Sequence, residues 1–137
     1  MDLGTRFLIL SLGGEKYALP ISKLLEITIP RGIYKEAKLP EMFEGKLEYR
    51  GQWIPVLDIK KVFKIIGKAG TTLLVVKTGK GVVGVLVDDV MEILDTDLTP
   101  APMPEGVVNP GLRYYYSGVL RHKEDLVLLL NEDGLLP

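Results

Sequence analysis

The segment Tyr49-Arg50-Gly51-Gln52-Trp53-Ile54-Pro55-Val56-Leu57-Asp58 constrains the fold more than any other part of the chain. Arg50-Gly51 is a turn signal, and the apolar run behind it has strand character while carrying a proline. Proline has no N–H to give to a ladder, so this strand is expected at a sheet edge or a bulge. An arginine beside such an edge reads either as a solvated strand-end residue or as a contact for a partner. Gly14-Glu15-Lys16-Tyr17-Ala18-Leu19-Pro20-Ile21 has the same character of strand, proline and short helix. Both point to a β-rich molecule whose function lies on its surface.

The rest of the chain follows the same grammar. Residues 6–12 form a dense apolar strand that Gly13-Gly14 turns into a second at 16–19. Residues 20–25 read as one or two helical turns with Pro20 at the first position, and 26–29 as extended. The stretch 30–44 is irregular, punctuated by Pro30, Gly32 and Pro40. In 46–50 Leu47 and Tyr49 share one face, and 53–57 is the hairpin partner. Asp58 is placed to cap a helix with Ile59, Val62, Phe63 and Ile66 on one stripe, ended by Gly67. Residues 72–77 and 82–87 form another hairpin, and 90–94 a further strand. The stretch 99–111 holds Pro100, Pro102, Pro104 and Pro110 and reads as a long ordered connection or a mobile loop. A last hairpin spans 114–121 and 126–130, and Asn131 opens a final turn. This is a mainly all-β pattern, with many short strands and one clear helix, which suits barrels or a sandwich.

Composition narrows the function. With 137 residues and 47% hydrophobic, the chain has the size of one globular domain, residues 1–137. Its 17 basic and 18 acidic residues leave a net charge of −1, which disfavours nucleic acid and anionic lipid as partners. The absence of cysteine removes disulfides, thiol catalysis and thiolate metal sites, and fits a cytoplasmic protein. No run approaches the ~20 apolar residues of a membrane span. Residues 1–6 lack the basic start and apolar stretch of a secretion signal.

Reactive motifs give way to simpler readings. Gly79, Gly81 and Gly84 match a dinucleotide-binding glycine pattern, but Val82-Val83-Gly84-Val85-Leu86-Val87 is strand-like where that chemistry requires a helix, so a hairpin turn explains them. His122, the single histidine, reads as a solvated turn residue, and none of Ser11, Ser22 or Ser117 stands on a nucleophile elbow. Asp88-Asp89 with Glu92, and Glu132-Asp133, lack the loop spacing of a calcium site and read as solvated acids. Of Tyr114-Tyr115-Tyr116, at least one belongs in the core by strand alternation; the others and Trp53 are candidate partner anchors.

Four blocks in order resemble the CheW-like domain family: residues 14–21 with Leu24 and Glu26-Ile27; residues 49–59, like that family's central Arg-Gly-x-x-Ile-Pro-Val-x-Asp-Leu block; Val83-Gly84-Val85-Leu86-Val87-Asp88-Asp89-Val90 with Glu92-Ile93; and Tyr116-Ser117-Gly118-Val119 with 126–130. The resemblance covers nearly the whole chain. It implies two intertwined five-stranded SH3-like barrels in one domain, no catalysis, no cofactor and no metal. It also implies an adaptor that joins a CheA-type histidine kinase, through its regulatory domain, to the cytoplasmic tips of methyl-accepting chemoreceptors. Such a protein would act in the cytoplasm at receptor arrays, without inserting into the membrane. Carried over by position, Leu24, Glu26, Gly45, Arg50 and Gly51 would be receptor-facing, with Trp53 and Val85 as further protein-contact candidates. The segment from Leu39-Pro40 to Gly45 is shorter than the family pattern, and Tyr49 stands where an aliphatic residue is usual. The length leaves no room for an attached receiver or kinase domain.

The shortened segment keeps open a divergent accessory adaptor serving a non-flagellar pathway such as surface motility. A small enzyme or ligand-binding barrel would require convergent polar groups in a pocket, for which Asp88, Asp89 and Glu92 are the available acids.

Overall fold

The computed structural model describes residues 5–96, 100–102, 106 and 110–136. Among the described residues ten strands run in chain order: β1 (Thr5–Leu12), β2 (Glu15–Pro20), β3 (Leu24–Thr28), β4 (Phe43–Tyr49), β5 (Gln52–Asp58), β6 (Thr72–Thr78), β7 (Gly81–Val87), β8 (Asp89–Thr96), β9 (Tyr116–His122) and β10 (Asp125–Leu130). One helical turn, α1 (Ile59–Val62), follows β5. Three 3-10 turns lie at Ile21–Lys23, Pro110–Tyr115 and Glu132–Leu135. Residues 97–99, 103–105 and 107–109, within or next to the proline-rich stretch, lie outside the described residues, as do 1–4 and 137.

The strands form two five-stranded sheets, ordered β8-β1-β2-β10-β9 and β3-β6-β7-β5-β4. The chain starts the first, builds the whole of the second, and returns to finish the first, so the sheets are interleaved in sequence as expected. Strand alternation explains how they pack. Leu8, Leu10 and Leu12 of β1 join a central cluster with Leu74 and Val76 of β6 and Val83, Val85 and Val87 of β7. The alternate residues Phe7 and Ile9 enter a cluster private to the first sheet, with Ala18, Leu120, Val127 and Leu129. Leu73, Val75 and Leu86 enter one private to the second, with Ile54 and Val56. The middle strands are therefore buried on both faces, which is why they read as unbroken apolar runs.

Aromatic rings extend the central cluster across the join. Phe63, just past α1, stacks on Tyr17 at 5.8 Å and on Tyr116 at 5.2 Å, two residues of the first sheet. Burial pushes both phenols, Tyr17 and Tyr116, above the ordinary tyrosine range.

A polar link crosses the same join. Lys60 of α1 is buried and places Nζ 2.9 Å from Asp88 Oδ1, with a second bond of 2.9 Å to the Lys68 carbonyl. The other carboxylate oxygen of Asp88 accepts from the Gly13 N–H at 2.7 Å, in the β1–β2 turn. Asp88 is thus no solvated acid. It stands where the chain passes from β7 to β8, tying α1 and both sheets together.

The structure departs from the sequence reading at three other places. The β5 strand lies inside its sheet, between β7 and β4. Its proline is tolerated because pairing with β7 covers only Val56, Leu57 and Asp58, so Pro55 falls just before that ladder begins. Asp58 caps α1 as expected, accepting from the Lys60 N–H at 3.2 Å. The helix stops at Val62, however, because Lys64 turns left-handed at φ 57 and the Ile65 N–H returns to the Lys60 carbonyl. Ile66 consequently lies outside the apolar stripe and is 97% exposed. Tyr114 and Tyr115 belong to a 3-10 turn, and of the three tyrosines only Tyr116 is buried in β9.

Asp88 carries an acid-stability signature. Burial alone would raise its carboxyl, but the Lys60 ammonium and the Gly13 N–H outweigh that and hold it below the usual aspartate range. A carboxyl lowered on folding stabilises the protein above its unfolded pKa, about 3.9, and loses that contribution as pH falls through the lower folded value. Asp88→Asn is expected to cost roughly 2–3 kcal/mol at neutral pH, since Lys60 loses its charge partner. Urea unfolding at about pH 5 and about pH 3 should show a smaller acid loss in the variant than in the native chain. Equal acid losses would contradict this assignment.

Candidate functional site

The Arg50-Gly51 pair forms the two-residue tip of the β4–β5 hairpin, with Tyr49 paired to Gln52. Both tip residues have positive φ, 49° and 82°, the backbone of a type I′ turn. Glycine adopts this freely, whereas an arginine in the left-handed region costs about 1 kcal/mol or more. The Arg50 guanidinium lies 5.1 Å over the Tyr49 ring, which orients a side chain on an exposed residue. The aromatic residue at position 49, unusual for the family pattern, is thus the support for this arginine.

Below the tip, the outer face of the hairpin carries Lys46 and Trp53, diagonal neighbours by register. Lys46 Nζ lies 5.0 Å over the Trp53 ring and pairs with Glu36. Tyr34 packs edge-on against Trp53 at 5.4 Å and exchanges backbone hydrogen bonds with Lys46, 2.8 Å each way. Trp53 remains 51% exposed and Tyr34 60%. Tyr34 and Lys46 were not legible as site residues, because their meeting depends on an isolated bridge between residues distant in the chain.

Gly45 lies beneath this platform and is buried. A Cβ there would overlap the Tyr34 carbonyl, so the glycine admits the crossing strand and presents no side chain to a partner. Val85 requires a similar correction. It is 2% exposed in the middle of β7, paired to Leu57 and Leu74 within the central cluster, and cannot touch a partner directly.

Leu24 and Glu26 lie on β3, at the opposite end of the sheet order from β4. Both are half-buried, and Leu24 packs against the central cluster. The register against β6 shifts between them, and Leu25 faces outward in the strand's regular alternation. Leu25, Ile27 and Ile29 are exposed by 42%, 44% and 60%, giving this edge strand an apolar row. The residues around Leu24 and those around Arg50 therefore share one sheet but occupy its two outer strands. The apolar row follows the two-residue alternation of β3, which places Leu25 and Ile27 on the face opposite Leu24 and Glu26.

The chemistry of acids, histidine and lysines is structural. His122 is buried, 5% exposed, in place of the expected solvated turn residue. It ends β9 on the inward side and its Nε2 lies 2.6 Å from Glu92 Oε1 on β8, while Nδ1 has no partner. Gly84 is inside β7, as the hairpin reading required. Among the described residues no group of three or more His, Cys, Asp or Glu could hold a metal ion. A groove of about 450 Å³ runs between α1 and the turn before β9, lined by Met42, Val62, Leu112 and Tyr115 with Glu41, Lys61 and Lys64. Its Lys61 is held above the ordinary lysine range by a hydrogen bond to Glu44 at 3.0 Å. Among the described residues no helix is long and apolar enough to cross a membrane.

With this geometry in view, comparison with known proteins is informative over the full chain. Residues 6–137 match the family model of the CheW-like domain. The chain is 30% identical over 138 aligned positions to the chemotaxis protein CheW of Klebsiella aerogenes, covering 98% of this chain and 82% of that one. It is 28% identical to the chemotaxis protein CheW of Helicobacter pylori, covering 91% and 77%. Its fold superposes on the crystal structure of the scaffolding protein TtCheW from Thermoanaerobacter tengcongensis with a TM-score of 0.84 at 25% identity, over 93% and 89% of the two chains. The order of the motif blocks, two interleaved sheets and correspondence over nearly the whole chain converge, and the chain belongs to the CheW-like domain family.

Proposed function

We propose that this protein is a non-enzymatic chemotaxis adaptor that couples chemoreceptor tips to a CheA-type histidine kinase. The observation that carries this reading is the correspondence of almost the entire chain with a scaffolding protein of the same two-sheet fold. The chain acts as a single domain of two interleaved subdomains, in the cytoplasm at receptor arrays. Full-length similarity to proteins named for chemotaxis favours this role over that of an accessory adaptor for another pathway.

The receptor-facing surface includes the Arg50-Gly51 tip and the β3 segment at Leu24 and Glu26. Arg50 supports this reading by its form: a cation held in a left-handed turn, oriented by Tyr49, and exposed. Trp53, with Tyr34 and Lys46, supplies an adjacent aromatic anchor of the type frequent in protein interfaces. Binding to the kinase's regulatory domain is expected in titration calorimetry, and absence of heat at tens of micromolar would contradict the adaptor reading.

Two substitutions separate contact from scaffold. Arg50→Ala is expected to change stability by no more than about 0.5 kcal/mol, because an exposed turn residue is replaced without creating a cavity. The same change should weaken receptor-dependent kinase activation about tenfold in a reconstituted assay. Gly45→Ala should instead destabilise the fold by about 2 kcal/mol or more through its overlap with the Tyr34 carbonyl. Unfolding of the Arg50 variant with unchanged coupling per folded molecule would return that arginine to a structural role.

A further inference from the structure

The first sheet has two ends in its hydrogen-bonded order, β8 and β9. The last hairpin, β9–β10, is attached to the remainder of that sheet by few hydrogen bonds. On one flank β10 meets β2 in a parallel junction with only the pairs Leu128–Tyr17 and Leu129–Ala18, whereas β1 and β2 share six register pairs. On the other flank the Val119 and Ala101 backbones exchange two bonds of 2.9 Å, and His122 reaches Glu92 of β8 at 2.6 Å. One face of the hairpin, with Leu120, Val127 and Leu129, packs on Phe7, Ile9 and Ala18, the other gives Tyr116 and Leu130 to the central cluster, and Asp125 pairs with Lys16 of β2 at 3.0 Å.

We propose that the β9–β10 hairpin is a flap that opens as a unit from the first sheet while the second sheet stays closed, and that His122–Glu92 is its clasp. The two partners differ in what happens when their bond breaks. The Glu92 side chain is 43% exposed and rehydrates where it stands. The His122 side chain is 6% exposed with Nδ1 already unpartnered, so losing Glu92 leaves a buried ring with no hydrogen bond at all. That cost is relieved only when the ring reaches water, and His122 reaches water when the hairpin swings outward. Breaking the clasp and opening the flap are therefore coupled. The bond needs a proton on Nε2, which the imidazolium and one neutral tautomer both supply.

Native-state hydrogen exchange on the full chain, read amide by amide by NMR, tests this. In the native sequence, protected amides of β9 and β10 should exchange as one group, faster than those of β6 and β7. Glu92→Ala should accelerate Leu120, Val127 and Leu129 about tenfold or more while leaving Val75 and Val85 unchanged. Glu92→Gln, whose amide oxygen can accept the same bond, should stay within about threefold of the native rates. His122→Phe, which fills the site with a ring that needs no hydrogen bond and frees Glu92 to water, should leave hairpin exchange at or below the native rates. Equal acceleration of both sheets would reduce the pair to a contributor to global stability. Unchanged hairpin exchange in Glu92→Ala, acceleration in His122→Phe as large as in Glu92→Ala, or hairpin amides no faster than those of β6 and β7 in the native chain, would overturn the proposal.

Discussion

The fold depends on one shared apolar cluster, to which both sheets give one of their two faces. Leu8, Leu10, Leu12, Tyr17 and Leu19 approach it from the first sheet, and Leu74, Val76, Val83, Val85 and Val87 from the second. Each fully buried side chain of this kind contributes about 1.5–3 kcal/mol of transfer free energy. Neither sheet could expose that face to water without losing a sum larger than the net stability of a typical domain. Because the remaining faces enclose private clusters, little of the central strands is left for recognition. Among the described residues, exposed apolar surface lies on the margins, including the edge strand β3, the aromatic face beside the β4–β5 tip, and Met91 and Ile93 of the edge strand β8. Burying the middle strands on both sides leaves the margins of the sheets as the exposed surface.

Polar groups perform different tasks at the two seams of the molecule. Lys60, Asp88 and the Gly13 amide satisfy one another at the crossover from β7 to β8, where the apolar cluster alone would leave the chain direction undetermined. Lys60 is nearly enclosed and has two acceptors, so that seam is fixed. The His122–Glu92 pair is less complete, with one ring nitrogen unsatisfied and one partner half in water. Of the two links, the first has the character of a joint and the second that of a catch.

Much of this was legible in the sequence. Gly13-Gly14, Arg50-Gly51 and Gly81 marked hairpins, because a turn with positive φ restricts residue choice strongly. Asp58 marked its helix start by the same kind of local chemistry. Apart from Ile66, which a local turn decides, the failures were cases in which a distant element decides the outcome. Ile66 continued the helical period, yet Lys64 closed the helix without a glycine. His122 looked like a turn residue until β8 supplied Glu92, thirty positions away by the numbering, to bury it against. Val85 and Gly45 lay within recognisable motif blocks, but those blocks record the packing of the sheet as well as its contacts. At the candidate site, the tip was visible from Arg50 and Gly51, whereas the contributions of Tyr34 and Lys46 arise only from a single bridge between irregular chain and strand.

Cooperative unfolding tests the shared cluster most directly. Trp53 is the single tryptophan and lies in the second sheet, so its fluorescence reports that half, while the amide resonance of Ile9 reports the first. In a urea titration the two signals are predicted to disappear with the same midpoint and the same slope, since neither sheet survives exposure of the face it shares. Two separated midpoints, with one sheet persisting after the other has unfolded, would contradict the account.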